Sequence, residues 1–485
     1  MKALHHAHFI AIGGTGMGSL AGLLKARGLD VTGSDHAIYP PMSTALEGWG
    51  IEVVEGFSAE NVLSRKPDLV VIGNAVRRDN PEALAVIEAG LPYRSFSDAL
   101  YELAIAQKHS VAVSGTHGKT TTTSLLAYLL HSTGRDPSFL VGGISLDFGD
   151  SFREGRGEHF VVEGDEYDTA FFDKTPKFLH YHPRTAILTS VEFDHADIYQ
   201  DLEAVKSAFR ELVDGMPADG SLIAAWNHAN VREVAAGSPC RVVRYAVEGV
   251  DGSVDPGEVG FYASDLRVES GGTGFALSAP GWEGGRVFSP LYGRFNVENS
   301  LAALAAAHSL GVPLAESIEV LPSFQGVKRR QEIRGSRRGV TVVDDFAHHP
   351  TAVRGSIEAI RSRYPEGRLI AVFEPRSNTS RRKLFQDDYA LALAGADLVI
   401  VPEVVQEPIY SATGEVTEFL SAGELSLSLR SNGVEARSCS GVDEIVTQLA
   451  SEAISGDTVL IMSNGAFGNI WEKLLTALEA GEANP

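Results

Sequence analysis

The stretch Val111-Ala-Val-Ser-Gly115-Thr116-His117-Gly118-Lys119-Thr120-Thr121-Thr122-Thr123-Ser124 decides the reading of this chain. The apolar residues before Gly115 read as a strand, the two glycines as a turn, and the Leu-Leu-Ala after Ser124 as the body of a helix. Strand, glycine turn and helix in that order make an anion site. Gly115 and Gly118 let backbone N–H groups converge on a phosphate, and the helix N-terminus adds its partial positive charge. Lys119 reaches the outer phosphates, and the Thr120 hydroxyl suits Mg2+. The loop is the shortened form G-x-x-G-K-T, because valine stands at position 113 where the longer form has glycine. The pattern predicts ATP; a purely structural glycine turn is the alternative.

Downstream, two further strands end in acidic or histidine residues. Phe160-Val-Val-Glu163-Gly-Asp-Glu166 closes one strand on carboxylates, and Ala186-Ile-Leu-Thr189 runs into Ser190-Val-Glu-Phe-Asp194-His195-Ala-Asp197. In a parallel sheet the C-terminal strand ends gather on one edge, so Lys119, Glu163 and His195 are expected to converge there. Either acidic cluster alone also reads as a solvated loop. Behind a phosphate loop the two together point to metal-assisted chemistry.

Upstream, His8 to Ile12 reads as a strand, followed by Gly13-Gly14-Thr15-Gly16-Met17-Gly18 and an Ala/Leu-rich helix to about Ala26. Asp30 to Thr32, ending at Gly33-Ser34-Asp35, and Leu69 to Ile72 continue a βαβ rhythm. The dinucleotide fingerprint would end in glycine at position 19, which is serine, although Asp35 sits where a ribose-binding acid would stand. A nicotinamide-dependent oxidoreductase is therefore a rival reading. Beyond the phosphate loop, Val250 to Gly285 is rich in Gly and Ser and reads as a loop-rich insertion with β-like alternation. Strands follow at Val340 to Val343, Leu369 to Phe373, Leu398 to Val401 and Thr458 to Met462, with a helix after Pro350, and the last few residues read as frayed.

The length of 485 residues fits about three domains at ~150 residues each. The expected fold is α/β in three domains: Rossmann-like over 1–108, a P-loop-type ATPase domain over 109–326, and Rossmann-like over 327–485. The only cysteines, Cys240 and Cys439, have no metal-ligand spacing and suit a reducing compartment. With neither a signal-peptide pattern nor an apolar run of membrane-span length, a cytoplasmic protein is expected, with no membrane partner. A net charge of −22 argues against nucleic acid as a partner. It also requires that any anionic substrate be held by local cations. The one basic cluster, Lys328-Arg329-Arg330 with Arg334, Arg337 and Arg338, is a candidate for that or a solvated face.

These motifs resemble those of the Mur ligases over nearly the whole chain. Gly115-Thr-His-Gly-Lys-Thr-Thr-Thr-Thr is similar to the family ATP loop, and Glu163-Gly-Asp-Glu-Tyr-Asp to its metal-binding stretch. Phe193-Asp194-His195 resembles the segment whose histidine contacts a second metal. Gly293-Arg-Phe-Asn296 resembles the adenine-binding element, with Phe295 in place of a histidine. Phe324-Gln-Gly-Val-Lys-Arg329-Arg330 resembles a phosphate-contacting segment, and Asp344-Asp345 the segment whose second aspartate holds the ribose. The resemblance implies that Gly115, Thr116, His117, Gly118, Lys119, Thr120, Thr121, Asn296, Arg330 and Asp345 bind ATP. It implies that Thr120, Glu163 and His195 hold Mg2+, with His195 as general base left open as its alternative role. Lys119, Glu163, His195 and Arg330 then carry the catalysis.

In the first domain, the resemblance makes Gly14, Thr15, Gly16, Met17, Ser34, Asp35 and Asn74, with the stretch to Asn80, the site for a UDP-sugar. Three stretches look most like the muropeptide-recycling branch: Glu163 to Asp173, Phe193 to Tyr199, and Phe373-Glu-Pro-Arg376-Ser377-Asn378-Thr379. That branch attaches L-Ala-γ-D-Glu-meso-diaminopimelate to UDP-N-acetylmuramate in murein recycling. Arg376, Ser377 and Asn378 would then read the peptide in the last domain, although Ser380-Arg381-Arg382 departs from the expected pattern. A sister branch, which couples L-alanine to the same sugar in peptidoglycan synthesis, is the alternative. Relatives that extend the peptide carry a carbamylated lysine where this chain has Arg210, and Lys206, one turn away, reads as a solvated helix lysine.

Overall fold

The computed structural model describes residues 4–38, 42–250, 254–407, 409–411 and 414–480, with the backbone alone at 409–411. Residues 481–485, read above as a frayed end, lie outside it. Three large sheets follow one another along the chain, with two further two-stranded ones among the described residues. In the first, His6–Ile10, Asp30–Asp35, Glu52–Glu55, Leu69–Ile72 and Tyr93–Ser95 are parallel in the order 3-2-1-4-5. The order reverses beside His6–Ile10, so the turn at Gly13–Gly16 opens into the crevice where such sheets bind ligands. That strand ends two residues earlier than the sequence suggests, because Ala11 takes a positive φ of 66° and turns the chain.

The central sheet has ten strands. Its middle is parallel, from Phe261–Glu269 through Arg241–Val247, Ser221–Ala225, Thr185–Leu188, His109–Ser114 and His159–Gly164 to Ser138–Leu140. The stretch expected to be a loop-rich insertion instead continues this sheet. Phe261–Glu269 and Gly272–Ser278 pair antiparallel and Arg286–Ser289 closes the edge, while residues 251–253 are not described. The outer half of the first of these strands alternates partly buried with exposed residues, so its polar composition mimics a loop. A strand at the margin of a sheet tolerates that.

The helix Arg294–Ser309 is buried on all sides from Leu301 to Ala307, and its small alanines let it share one apolar cluster with the helix Lys119–Ser132. The last sheet runs Glu332–Arg337, Val340–Asp345, Thr458–Met462, Leu369–Phe373, Leu398–Pro402 and Glu435–Cys439, parallel apart from its first strand. The core of the first domain merges with one side of the central domain, where Trp49 packs edge-on against Phe152 at 5.0 Å. The last domain has two apolar clusters of its own, one of which also takes Phe193 from the central domain. No helix among the described residues is long and apolar enough to cross a membrane.

Candidate active site

A cavity of about 510 Å³ lies where the three domains meet. Its walls include Gly14, Thr15, Gly16, Met17 and Asn74 from the first domain and Thr116, His117, Gly118, Lys119, Thr120, Thr121, Glu163, His195 and Asn296 from the second. Arg330 and Asp345 complete it from the third. Residues more than 300 positions apart thus face one space.

The glycine turn is shaped as the spacing predicts. Gly115 and Gly118 have φ of 128° and 80°, and a Cβ at Gly115 would stand 2.2 Å from Thr189 Oγ1. At Gly118 it would stand 2.3 Å from Asn299 Oδ1, so both positions exclude a side chain. Asn299 accepts from Thr122 Oγ1 at 3.2 Å and donates to Asn296 Oδ1 at 3.0 Å. Asn296 in turn donates to the Tyr292 carbonyl at 2.8 Å. Phe295 lines the cavity next to Gly355, whose missing Cβ would sit 3.1 Å from the ring.

Thr120 Oγ1 donates to Glu163 Oε1 at 3.0 Å, and Arg330 Nη2 donates to Thr120 Oγ1 at 3.0 Å. Glu163 Oε2 accepts from the Gly142 N–H at 2.8 Å. Burial, then Asp165, raises the Glu163 pKa, so this carboxylate is short of positive charge. Oxygen donors and a charge-starved buried carboxylate fit a hard divalent cation. His195 is placed differently. Its Nε2 lies 3.1 Å from Glu166 Oε1, while Glu166 Oε2 accepts from Lys119 Nζ at 2.8 Å. Burial disfavours charge on Glu166, but Lys119 and then His195 hold its carboxyl at about 2. Burial likewise opposes the His195 imidazolium, yet Asp194 and Glu166 lift it to about 9. Lys119 also donates to the Gly115 carbonyl at 2.8 Å, which keeps its ammonium over the turn.

Glu166, absent from the residues expected to act, is thus the hinge pin between Lys119 and His195. The spacing Glu163-x-x-Glu166 carries that signal only once the strand end is known to splay the two carboxylates. Tyr167 and His348, which lie in the recognised motif segments without a role of their own, also face the cavity, as does Lys177, which no motif marks.

Several expected residues sit elsewhere or are already engaged by neighbours. Ser34 is fully buried and donates to Glu82, and Asp35 accepts from the Gly13 N–H at 2.8 Å, so both brace the first turn from behind. Asn80 caps the helix Pro81–Glu88, accepting from Glu82 and Ala83 N–H at 2.9 and 3.1 Å. Asp345 lines the cavity with its oxygens already taken by Gln331 and Ala347 N–H at 2.9 and 2.8 Å and by Ser356 Oγ at 3.1 Å. Of the basic cluster, Arg330 alone is among the cavity-lining residues. Positive φ at Arg329 (60°) and Gln331 (53°) twists the chain so that Arg329 turns back to Asp344 and the Ser463 and Gly465 carbonyls. Arg334 and Arg337 pair with Glu332 and Glu479. Lys206 is not a solvated lysine: its ammonium lies 2.9 Å from Glu203 and 2.7 Å from Glu233, and Arg210 also pairs with Glu233.

Arg376, Ser377 and Asn378 line a second cavity of about 300 Å³ that shares Tyr167, Asp194, His195, His348 and Asn464 with the first. Its walls cross the seam between the last two domains. Asn378 Nδ2 donates to Asp197 at 3.1 Å, the Ala196 N–H to Thr379 Oγ1 at 3.2 Å, and Arg382 Nη1 to the Ala196 carbonyl at 3.0 Å.

Three family models match in sequence: "Mur ligase family, catalytic domain" over residues 6–108, "Mur ligase middle domain" over 113–307, and "Mur ligase, glutamate ligase domain" over 329–465. The chain is 40% identical over 473 residues to the UDP-N-acetylmuramate–L-alanyl-γ-D-glutamyl-meso-2,6-diaminoheptandioate ligase of Escherichia coli (strain K12), covering 97% of this chain and 98% of that one. It is 36% identical over 475 residues to the UDP-N-acetylmuramate–L-alanine ligase of Rubrobacter xylanophilus, covering 97% and 99%. Among solved structures, a murein peptide ligase from Psychrobacter arcticus superposes with a TM-score of 0.72 at 35% identity, covering 98% of this chain and 99% of that one.

Proposed function

The chain belongs to the Mur ligase family, and we propose that within it the protein is an ATP-dependent ligase joining L-Ala-γ-D-Glu-meso-diaminopimelate to UDP-N-acetylmuramate. The observation that carries this reading is the three-domain cavity, which sets a glycine turn, a phosphate-loop lysine and a strand-end carboxylate beside a second, peptide-sized space that meets it at His195. The full-length likeness to the E. coli tripeptide ligase supports the choice of amine.

A carboxylate is a poor electrophile, so the γ-phosphoryl group of ATP moves onto it with ADP leaving. The amine nitrogen then attacks the carbonyl carbon of the acyl phosphate, phosphate departs, and one proton is lost. Catalysis of such transfer is positioning plus charge neutralisation. Lys119, over the Gly115 carbonyl, and Arg330, against Thr120, supply cations to the phosphates. Thr120 and Glu163 fit a Mg2+ ion, which when bound offsets phosphate charge. His195 and Glu166 stand at the junction of the two cavities, where the amine must lose its proton. Phe295 and Gly355 offer a flat apolar wall for the base, and Gly14 to Met17 a turn for the uridine diphosphate. These local cations offset a global charge of −22 that repels every substrate named here.

Phosphate release from ATP with Mg2+ and UDP-N-acetylmuramate, comparing the tripeptide with L-alanine, tests the reading. Release with the tripeptide alone is expected. Release with L-alanine alone would move the chain to the sister activity, and silence with both would remove the substrate assignment.

A further inference from the structure

A second group of ligand-type atoms lies at the seam between the central and C-terminal domains. His117 of the glycine turn, Glu192 after the strand Thr185–Leu188, and His349 at the start of the helix Pro350–Arg363 each bring one atom within 4.8 Å of the others. His117 Nε2 lies 3.4 Å from Glu192 Oε2, and His349 Nδ1 lies 3.6 Å from the same oxygen. Charge-assisted hydrogen bonds are shorter, about 2.7–2.9 Å. The edge of a tetrahedron whose corners stand about 2.0–2.1 Å from a zinc ion is about 3.3–3.4 Å, close to both separations.

The tautomer of His349 points the same way. Its Nε2 lies 3.3 Å from the Phe193 carbonyl, which only accepts, so Nε2 carries the hydrogen. Nδ1 is then an acceptor, as its 3.3 Å contact from the Thr351 N–H requires. An unprotonated nitrogen, whose lone pair only a long 3.3 Å contact engages, and a carboxylate oxygen therefore stand 3.6 Å apart. Two acceptors so placed attract a cation. Thr351 Oγ1 donates to Glu192 Oε2 at 2.6 Å and holds the carboxylate in position, as outer partners of metal ligands do. Two imidazoles and one carboxylate select a transition ion over Mg2+, which prefers oxygen.

We propose that His117, Glu192 and His349 form a site for a zinc-class transition-metal ion that bridges the central and C-terminal domains, separate from the hard-cation position at Thr120 and Glu163. The ion would fasten the glycine turn to the last domain, so the folded chain gains stability with metal concentration.

Cobalt(II) titration of the chelator-treated full-length protein in excess Mg2+, read by visible absorption and calorimetry, tests this. One ion per chain with the intense bands of a tetrahedral site is expected. Glu192→Gln and His349→Ala should each weaken uptake by more than about tenfold, and Glu163→Gln should leave it unchanged. Thr351→Ala, which keeps all three donors, should weaken it by about tenfold. No uptake by the unaltered protein would overturn the proposal without recourse to any variant. Uptake that survives both ligand substitutions, or that disappears with Glu163→Gln, would overturn it as well.

Discussion

Where the first domain meets the central one, Trp49 lies edge-on to Phe152 and the two apolar cores run together. Where the central domain meets the last, Phe193 reaches the apolar cluster of the last domain, but polar contacts are many: Arg330 on Thr120, Asn378 on Asp197, Thr379 and Arg382 on Ala196, and Thr351 on Glu192. Apolar surface separated from its partner meets water at a cost proportional to area. A hydrogen bond exchanged for one to water changes little in net free energy. The first seam is therefore expected to behave as a fixed joint and the second, richer in polar contacts, as the more readily opened one. Arg330, on Thr120 of the phosphate loop, belongs to the second.

The sharpest way to break this contrast is to exchange the expected effects. Phe152→Ala should cost about 3–5 kcal/mol in denaturant unfolding while leaving kcat of the folded protein intact. A large loss of kcat with little loss of stability would show the fixed joint to be catalytic. Arg330→Ala should do the reverse, lowering kcat by about 10²–10³-fold with an unchanged unfolding midpoint. Glu166→Gln keeps the shape but not the charge between Lys119 and His195, and kcat should fall by about tenfold to a hundredfold in steady-state assays. Asn378→Ala removes one exposed seam bond, worth about 1 kcal/mol, and should raise KM for the tripeptide by about fivefold with kcat little changed.

The smallest effect concerns a polar link across the fixed joint, where His180 Nδ1 lies 2.8 Å from Asp98 Oδ1. The hydrogen bond to Asp98 raises the His180 pKa, and the one to His180 lowers that of Asp98. Stability from His180 is complete below its unfolded pKa of about 6.5 and fades as pH rises through its raised value. Stability from Asp98 is complete above about 3.9 and fades as pH falls through its lowered value. The link is strongest between those limits, and Asp98→Asn should flatten the stability profile above about pH 6.5, as thermal melts would report.

Much of this site was legible in the chain because its parts are local. A strand, two glycines and Lys-Thr define a phosphate turn whatever surrounds them, and Leu69–Ile72, Leu369–Phe373 and Thr458–Met462 begin and end where unbroken apolar runs do. What escaped depends on which way a side chain leaves the backbone. Two positive-φ residues separate Arg330 from its basic neighbours, and no composition reveals that. Glu166 and Glu163 look equivalent until one faces Thr120 and the other Lys119. The hairpin within Val250 to Gly285 shows in the sequence as β-like alternation inside a loop-rich composition, because a sheet margin wears the polarity of a loop.

The line from Tyr292 through Asn296 and Asn299 to Thr122 has a further meaning. It joins the wall that would face the base to the rear of the turn that would face the phosphates, through amides that each spend a donor or an acceptor on the next. An inorganic triphosphate could fill the turn, but it would leave the far end of that line untouched. The helix Arg294–Ser309 thereby holds Asn296 of that wall and the rear of the turn in one register, through a chain of amides rather than any one contact.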